Sequence, residues 1–144
     1  MIRELSAGET HLAYRAMLAL RPHIGSESDF VKRIDDVQRK EGYRLIAHFI
    51  DGEEQAVAAA GFRVLHFLAW GDALYCDDLT TLPDHRGHGY AGALLEWMIE
   101  EAKRVGCGEF HLDSGVGADR QDAHRLYFNK RMRISSYHFS RPVR

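Results

Sequence analysis

This chain of 144 residues has few cysteines and prolines and no large excess of either charge. The two cysteines, Cys76 and Cys107, are too few for a disulfide framework and lack the CxxC spacing of thiolate metal sites. Basic and acidic side chains nearly cancel, and a net charge of −2 provides no footprint for nucleic acid. Nine histidines without a close ligand cluster predict no metal.

Long apolar runs are also missing. No stretch approaches the roughly 18 consecutive apolar residues of a membrane span, and the N-terminal sequence MIRELSAGET lacks the apolar region of a signal peptide. We therefore expect a cytoplasmic protein with no membrane partner. Hydrophobic residues make up 45% of the chain and charged residues 28%, which predicts one globular domain over residues 1–144.

The spacing of apolar residues predicts the element order β-α-α-β-β-β-α-β-α-β. The predicted elements are strand 2–5, helix 6–20, helix 26–42, strands 43–49, 56–67 and 73–82, helix 91–105, strand 109–113, helix 122–130 and strand 132–140. The three central strands form an antiparallel meander, and the helix after them is a crossover to a parallel strand. This order indicates a mixed α/β fold with a central, mostly antiparallel sheet flanked by helices.

A glycine-rich stretch, Arg86-Gly87-His88-Gly89, runs directly into the helix at 91–105. Backbone N–H groups at a helix N-terminus lack internal partners and attract a pyrophosphate, which glycines allow to approach closely. Arg86 can add charge-assisted hydrogen bonds. The stretch could instead be an ordinary tight turn between a strand and a helix, since a short glycine loop alone is weak evidence of phosphate binding.

Two motifs together resemble the GNAT superfamily of N-acetyltransferases. Arg86, Gly89 and Ala91 satisfy its acetyl-CoA signature, [RQ]-x-x-G-x-[GA]. Its second hallmark is a strand followed by a helix with a Leu-Tyr pair, and residues 111–115 and 123–127 match it. The resemblance covers residues 43–140 and implies transfer of an acetyl group from acetyl-CoA to a primary amine of a small molecule or a peptide.

The resemblance also implies which residues contact the cofactor. The strand backbone of Leu79, Thr80 and Thr81 would pair with the pantetheine arm. The pyrophosphate would be wrapped by the loop and the first helical turn, namely Arg86, Gly87, His88, Gly89, Tyr90, Ala91 and Gly92. Tyr127 would stand beside the thioester sulfur and protonate the departing thiolate. Because a phenol has a pKa about 1.5 units above that of a thiol, loss of the Tyr127 hydroxyl should slow the reaction rather than abolish it.

A base must take the proton of the incoming ammonium. Asp77 and Asp78, just before the cofactor strand, are the first candidates, and strand alternation predicts that only one of them faces the cleft. Each could instead be a solvated or salt-bridged carboxylate. His111 and His124 are further candidates, or else histidines that form structural hydrogen bonds.

The motifs leave both catalysis and assembly open. The chain could be a non-catalytic acyl-CoA-binding sensor, in which Tyr127 would not affect a rate. The polar last strand could form a homodimer or face water. Members of the superfamily usually have glycine where this chain has Arg131, and if that position needs positive φ, a non-glycine residue there costs about 1 kcal/mol.

Overall fold

The computed structural model describes all residues, Met1–Arg144. Five strands form one sheet in the order β1-β2-β3-β4-β5. The strands are β1 (Ile2–Leu5), β2 (Arg44–His48), β3 (Ala58–Phe67), β4 (Gly71–Thr81) and β5 (Glu109–Leu112). Strands β1 to β4 pair antiparallel, and this confirms the mixed α/β class with a mostly antiparallel sheet.

Four α-helices accompany the sheet: α1 (Tyr14–Leu20), α2 (Glu27–Arg33), α3 (Tyr90–Arg104) and α4 (Gln121–Asn129). The first predicted helix begins as a 3₁₀ segment, Ala7–Ala13, behind a capping box of Ser6 and Glu9. The second predicted helix contains a π-helical stretch, Ile34–Gln38, and ends at Gly42 in the left-handed conformation. Both departures lengthen or tighten the backbone without changing the element order.

Side chains of β2 point alternately to the two faces of the sheet, and each face is covered by different helices. Leu45 and Ala47 belong to the apolar cluster that contains residues of α1 and α2. Arg44 and His48, on the other face, contact Glu101 and Tyr90 of α3. Since side chains of a strand point alternately to opposite faces, the sheet is covered by α1 and α2 on one side and by α3 on the other.

The chain forms two compact units, Met1–His111 and Leu112–Arg144. The fully buried residues all lie in the first unit. In the second unit α4 ends in a Schellman motif, in which the Met132 N–H donates to the Tyr127 carbonyl at 3.0 Å and the Arg131 N–H to the Phe128 carbonyl at 3.0 Å.

The predicted last strand, residues 132–140, does not form. Its large apolar side chains are exposed, with Ile134 at 74%, Tyr137 at 86% and Phe139 at 91%. A strand is stabilised by a neighbouring ladder and a buried face, and alternation of apolar residues in sequence supplies neither.

Candidate active site

The glycine loop after β4 leads into α3 through two left-handed residues. Gly87 has φ +84° and Gly89, the N-cap of α3, has φ +80°. A Cβ built on either glycine would meet no atom within 4 Å. Their conformation, rather than crowding by the protein, therefore requires glycine, and the space in front of the loop is open.

Backbone donors converge at this end of α3. Ala93 is the first residue to make the helical hydrogen bond, to the Gly89 carbonyl at 3.0 Å. The N–H groups of Tyr90, Ala91 and Gly92 have no helical acceptor, and they carry the positive end of the helix dipole. The exposed Arg86 side chain makes no hydrogen bond or ion pair within the chain. These groups fit a pyrophosphate, which needs donors, positive charge and open space.

Leu79, Thr80 and Thr81 form the last residues of β4. On one side they pair with Ala60, Ala59 and Ala58 of β3. On the other side β5 begins next to Asp72, whose carbonyl accepts from the Gly108 N–H at 3.0 Å. A four-residue strand reaches only about 13 Å along β4, whereas Leu79 lies about 23 Å from Asp72. One backbone edge of residues 79–81 thus extends beyond the β5 strand.

A β-bulge brings two carboxylates into one cavity. Gly61 pairs with Asp78 and Phe62 with Cys76, so Asp77 is an extra residue on β4. A bulge interrupts the alternation of side chains. Asp77 and Asp78 consequently line the same cavity of about 660 Å³, and the prediction that only one of them faces the cleft is wrong.

Asp78 is fully engaged with side chains from two other elements. Its Oδ2 accepts from the Tyr43 hydroxyl at 2.9 Å, and its Oδ1 accepts from Nε of Arg21 at 3.0 Å. Burial, and then the nearby Asp78 carboxylate, raise the pKa of Tyr43 well above its ordinary value, so the phenol remains a donor. Tyr43 lies directly over Gly61, where an added Cβ would fall 1.6 Å from the phenol oxygen.

One oxygen of the Asp77 carboxylate has no hydrogen-bond partner. Its Oδ2 pairs with Nη2 of Arg63 at 2.9 Å, while its buried Oδ1 has no hydrogen-bond partner. Burial raises the pKa of the Asp77 carboxyl, and the Arg63 guanidinium offsets part of that rise. A buried carboxylate oxygen without a hydrogen-bond donor is unfavourable.

The two candidate histidines are held by their surroundings. His111 stacks on Trp70 with ring centroids 3.7 Å apart, and its Nε2 lies 2.8 Å from Glu109. In the second unit, Nε2 of His124 lies 2.8 Å from the Gly115 carbonyl and 3.0 Å from the Ser114 hydroxyl. Both histidines therefore fit a structural role better than a catalytic one. The half-buried Tyr127 lies on α4 of the second unit.

Sequence reasoning missed three side chains of this site: Arg21, Tyr43 and Arg63. They come from the residue after α1, from the residue before β2 and from β3, and they meet at Asp77 and Asp78 beside the bulge. One available signal was Gly61, since an isolated glycine inside a strand often marks a bulge or a close approach of another group.

The chain has neither a metal-binding cluster nor a membrane-spanning helix. No group of three or more His, Cys, Asp or Glu side chains is placed to hold a metal ion. None of the helices has the length and apolar character needed to cross a membrane.

Comparison with known proteins adds independent information. The profile of the acetyltransferase (GNAT) family matches residues 11–132. The uncharacterised N-acetyltransferase YhdJ of Bacillus subtilis is 33% identical over 132 residues, which is 91% of this chain and 89% of that protein. A thialysine N-epsilon-acetyltransferase of Sus scrofa is 27% identical over 124 residues, which is 78% of this chain and 72% of that protein. An aminoalkylphosphonate N-acetyltransferase of Salmonella typhimurium is 31% identical over 79 residues, which is 55% of this chain and 49% of that protein.

Solved structures share the fold at low sequence identity. An acetyltransferase from Trypanosoma brucei superposes with a TM-score of 0.82 at 18% identity and covers 99% of both chains. An aminoglycoside N-acetyltransferase in complex with CoA superposes with a TM-score of 0.81 at 14% identity, covering 99% of this chain and 94% of its own.

Proposed function

The chain belongs to the GNAT family of acetyltransferases, and from that premise we propose that it transfers the acetyl group of acetyl-CoA to the primary amine of a small molecule. The observation that carries this proposal is the loop from Arg86 to Gly92, with its two left-handed glycines and the unpaired N–H groups of α3. The relatives that act on thialysine and aminoalkylphosphonate support a small amine as acceptor.

In this proposal the cofactor is held mainly by backbone. The N–H groups of Tyr90, Ala91 and Gly92, together with Arg86, bind the pyrophosphate, and Gly87, His88 and Gly89 leave room for it. The extended backbone of Leu79, Thr80 and Thr81 pairs with the pantetheine amides as an additional strand would. Bound acetyl-CoA supplies the activated acetyl group as a thioester.

Two side chains are proposed to move protons. The free oxygen of Asp77 accepts a proton from the incoming ammonium, which leaves a neutral amine able to attack the acetyl carbon. The hydroxyl of Tyr127 donates a proton to the thiolate that departs. Asp78 holds Arg21 and Tyr43 in place, and its saturated carboxylate makes it a weaker candidate for the base than Asp77.

Calorimetric titration with acetyl-CoA and with CoA tests the proposal. We expect micromolar binding in the wild type and none in Gly89→Trp, because the indole fills the open space before α3. Gly106→Trp is the matched control, since Gly106 follows the other end of α3 with φ +85° and equally open surroundings. If the wild type binds neither ligand, the proposal is wrong.

Turnover of Tyr127→Phe separates an enzyme from a binding module. A catalytic Tyr127 predicts that release of CoA slows by about tenfold to a thousandfold at saturating acetyl-CoA, with unchanged affinity for acetyl-CoA. An acyl-CoA sensor would bind acetyl-CoA equally well with either residue and would release no CoA in the presence of any amine.

A further inference from the structure

The cavity beside Asp77 and Asp78 is lined by basic, acidic and apolar side chains. Met17, Ile24, Phe30 and Ile34 supply the apolar lining. The polar lining consists of Arg21, His23, Asp29, Arg33, Gln38, Tyr43, Asp77 and Asp78. A volume of about 660 Å³ lies within the range of small-molecule sites.

Most of the charges in this cavity are already neutralised within the protein. Arg21 pairs with Asp78, and Arg63, which lies behind the lining, pairs with Asp77. Asp29 keeps its negative charge, although it accepts the Ser26 N–H at 3.1 Å in the capping box at the start of α2, and in the sum this charge offsets that of Arg33. The internal pairs therefore leave little net charge to attract a ligand that is itself strongly charged.

Arg33, the last residue of α2, is the exception among the cations. It is exposed and makes no hydrogen bond or ion pair within the chain, although Asp29 lies one helical turn before it. At the β4 wall Asp77 lines the cavity, and its buried Oδ1 atom has no hydrogen-bond partner. The cavity thus has one unpaired cation on its helical wall and, on its sheet wall, a carboxylate with one oxygen that lacks a donor.

On the basis of the proposed function, we propose that the acceptor is a zwitterion: a small primary amine whose other end carries an anionic group, a carboxylate or a phosphonate. Its ammonium lies at Asp77, where the proton is removed, and its anionic group binds the guanidinium of Arg33. Arginine recognises carboxylate and phosphonate oxygens alike through paired N–H donors.

The same arrangement disfavours polyamines. A diamine that places one ammonium at Asp77 brings its second ammonium toward Arg33, and like charges repel. A neutral alkylamine loses the contact with Arg33 but meets no repulsion. The expected order of preference is therefore amino acid or aminophosphonate first, neutral amine second and diamine last.

The test compares four acceptors of similar length: 6-aminohexanoate, 5-aminopentylphosphonate, hexylamine and hexanediamine. CoA release gives kcat/KM for each, and calorimetry gives the affinity of each acceptor independently of transfer. The wild type is compared with Arg33→Gln, which removes the charge and keeps a polar side chain. Lys32→Gln is the matched control, because Lys32 is the exposed neighbour and lines a different depression.

We expect Arg33→Gln to raise KM for the two anionic acceptors by roughly tenfold to a hundredfold, and to leave hexylamine within about twofold. Lys32→Gln should leave all four acceptors nearly unchanged. The relative use of aminohexanoate and aminopentylphosphonate, which have the same number of methylene groups, then identifies which anionic group is preferred.

Failure of this inference is distinguishable from failure of the proposed function. If the wild type acetylates hexylamine or hexanediamine as well as the anionic acceptors, or Arg33→Gln weakens all acceptors equally, the zwitterion assignment is wrong while the acetyltransferase stands. If no acceptor releases CoA but aminohexanoate binds and Arg33→Gln weakens that binding, the cavity does bind a zwitterion and the proposed acetyl transfer is wrong. If no acceptor binds or reacts, the assignment is overturned.

Discussion

At the scale of single residues, two adjacent carboxylates differ because of what surrounds them. Asp77 and Asp78 have the same chemistry and nearly the same exposure, 13% and 17% of their side chains. Both oxygens of Asp78 have donors, whereas Oδ1 of Asp77 has none. Because a base needs a lone pair that no donor already occupies, the difference in hydrogen-bond partners favours Asp77 over Asp78 as the base.

Replacing Asp77 with Asn should lower kcat/KM by about a hundredfold or more. The base acts only when it is deprotonated, so wild-type kcat/KM should fall as pH decreases through the pKa of Asp77. Since burial raises that pKa from its ordinary 3.8, the fall begins at a higher pH than for an exposed aspartate. The pH profile of Asp77→Asn should lack this acidic limb.

The control for this prediction is Asp78→Asn. It releases Arg21 and weakens the Tyr43 contact but leaves Asp77 in place, so its profile should retain the limb at reduced activity. An acidic limb that persists unchanged in Asp77→Asn would exclude Asp77 as the base.

At the scale of elements, α3 is fixed to the sheet by an ion network as well as by its apolar stripe. Glu101, 7% exposed, accepts from Arg44 of β2 at 2.6 Å and from Arg104 at 2.5 Å. Arg44 also pairs with Glu4 of β1 at 2.7 Å and covers the ring of Phe62. The helix whose N-terminus is proposed to bind the pyrophosphate is therefore connected near its C-terminal end to β1, β2 and β3.

Glu101→Gln should destabilise the protein by about 2 kcal/mol at neutral pH. Hydrogen bonds from Arg104 first, and then from Arg44, lower the pKa of Glu101 to about 2 from its ordinary 4.5. A lowered pKa stabilises the fold above about 4.5, and this contribution disappears as pH falls toward 2. Solvent screens part of the effect because the Arg104 side chain is 69% exposed.

Urea unfolding at pH 7 and near pH 3 measures this difference. Glu100→Gln is the control, since Glu100 is 65% exposed and pairs only with the exposed Lys103. Its effect should stay within about 0.5 kcal/mol at either pH. If Glu101→Gln costs no more than Glu100→Gln, the network does not hold α3.

A residue just after the C-terminus of α4 has a backbone conformation that is unfavourable for any residue other than glycine. Arg131 occupies the left-handed position of the Schellman motif with φ +63°, and it is the only non-glycine residue with positive φ in the chain. The position therefore does have positive φ, the condition under which a non-glycine residue is costly there. The two backbone hydrogen bonds of the motif hold Arg131 in this conformation.

Arg131→Gly should stabilise the protein by about 0.5–1 kcal/mol, because relief of the strain exceeds the added entropy of the unfolded chain. Thermal unfolding measures the gain. Arg133→Gly, two residues later and without positive φ, should be neutral or slightly destabilising. A loss of stability in Arg131→Gly would show that the Arg131 side chain contributes more than its backbone strain costs.

At the scale of the whole molecule, stability is unevenly distributed along the chain. The residues that are buried all lie within Met1–His111, and none lies within Leu112–Arg144. Residues 133–144 are exposed throughout. Because local opening is resisted mainly by buried contacts, the two units should open with different free energies.

Hydrogen exchange followed by mass spectrometry should show this difference. We expect amides of β2, β3 and α3 to exchange slowest and those of residues 132–144 to exchange at nearly unprotected rates. Protection of residues 132–140 that increases with protein concentration would mean that the segment forms a strand with a second copy of the chain. Protection independent of concentration would mean that it forms a strand within one chain.

The sequence by itself determined the order of the elements as far as α4, the bounds of α3 and α4 to within about one residue, and the glycine loop. These features depend on local physics: apolar periodicity, capping residues and the left-handed conformation that Gly87 and Gly89 adopt. The resemblance to the family added the proposal that the loop binds acetyl-CoA.

Only the tertiary structure decided which groups meet at the cavity. A bulge depends on the pairing of two strands, so alternation along β4 alone placed Asp77 and Asp78 on opposite faces. The partners Arg21, Tyr43 and Arg63 and the free Arg33 come from distant parts of the chain. The segment 132–140 failed as a strand for the same reason, because a strand requires a partner and a local pattern does not provide one.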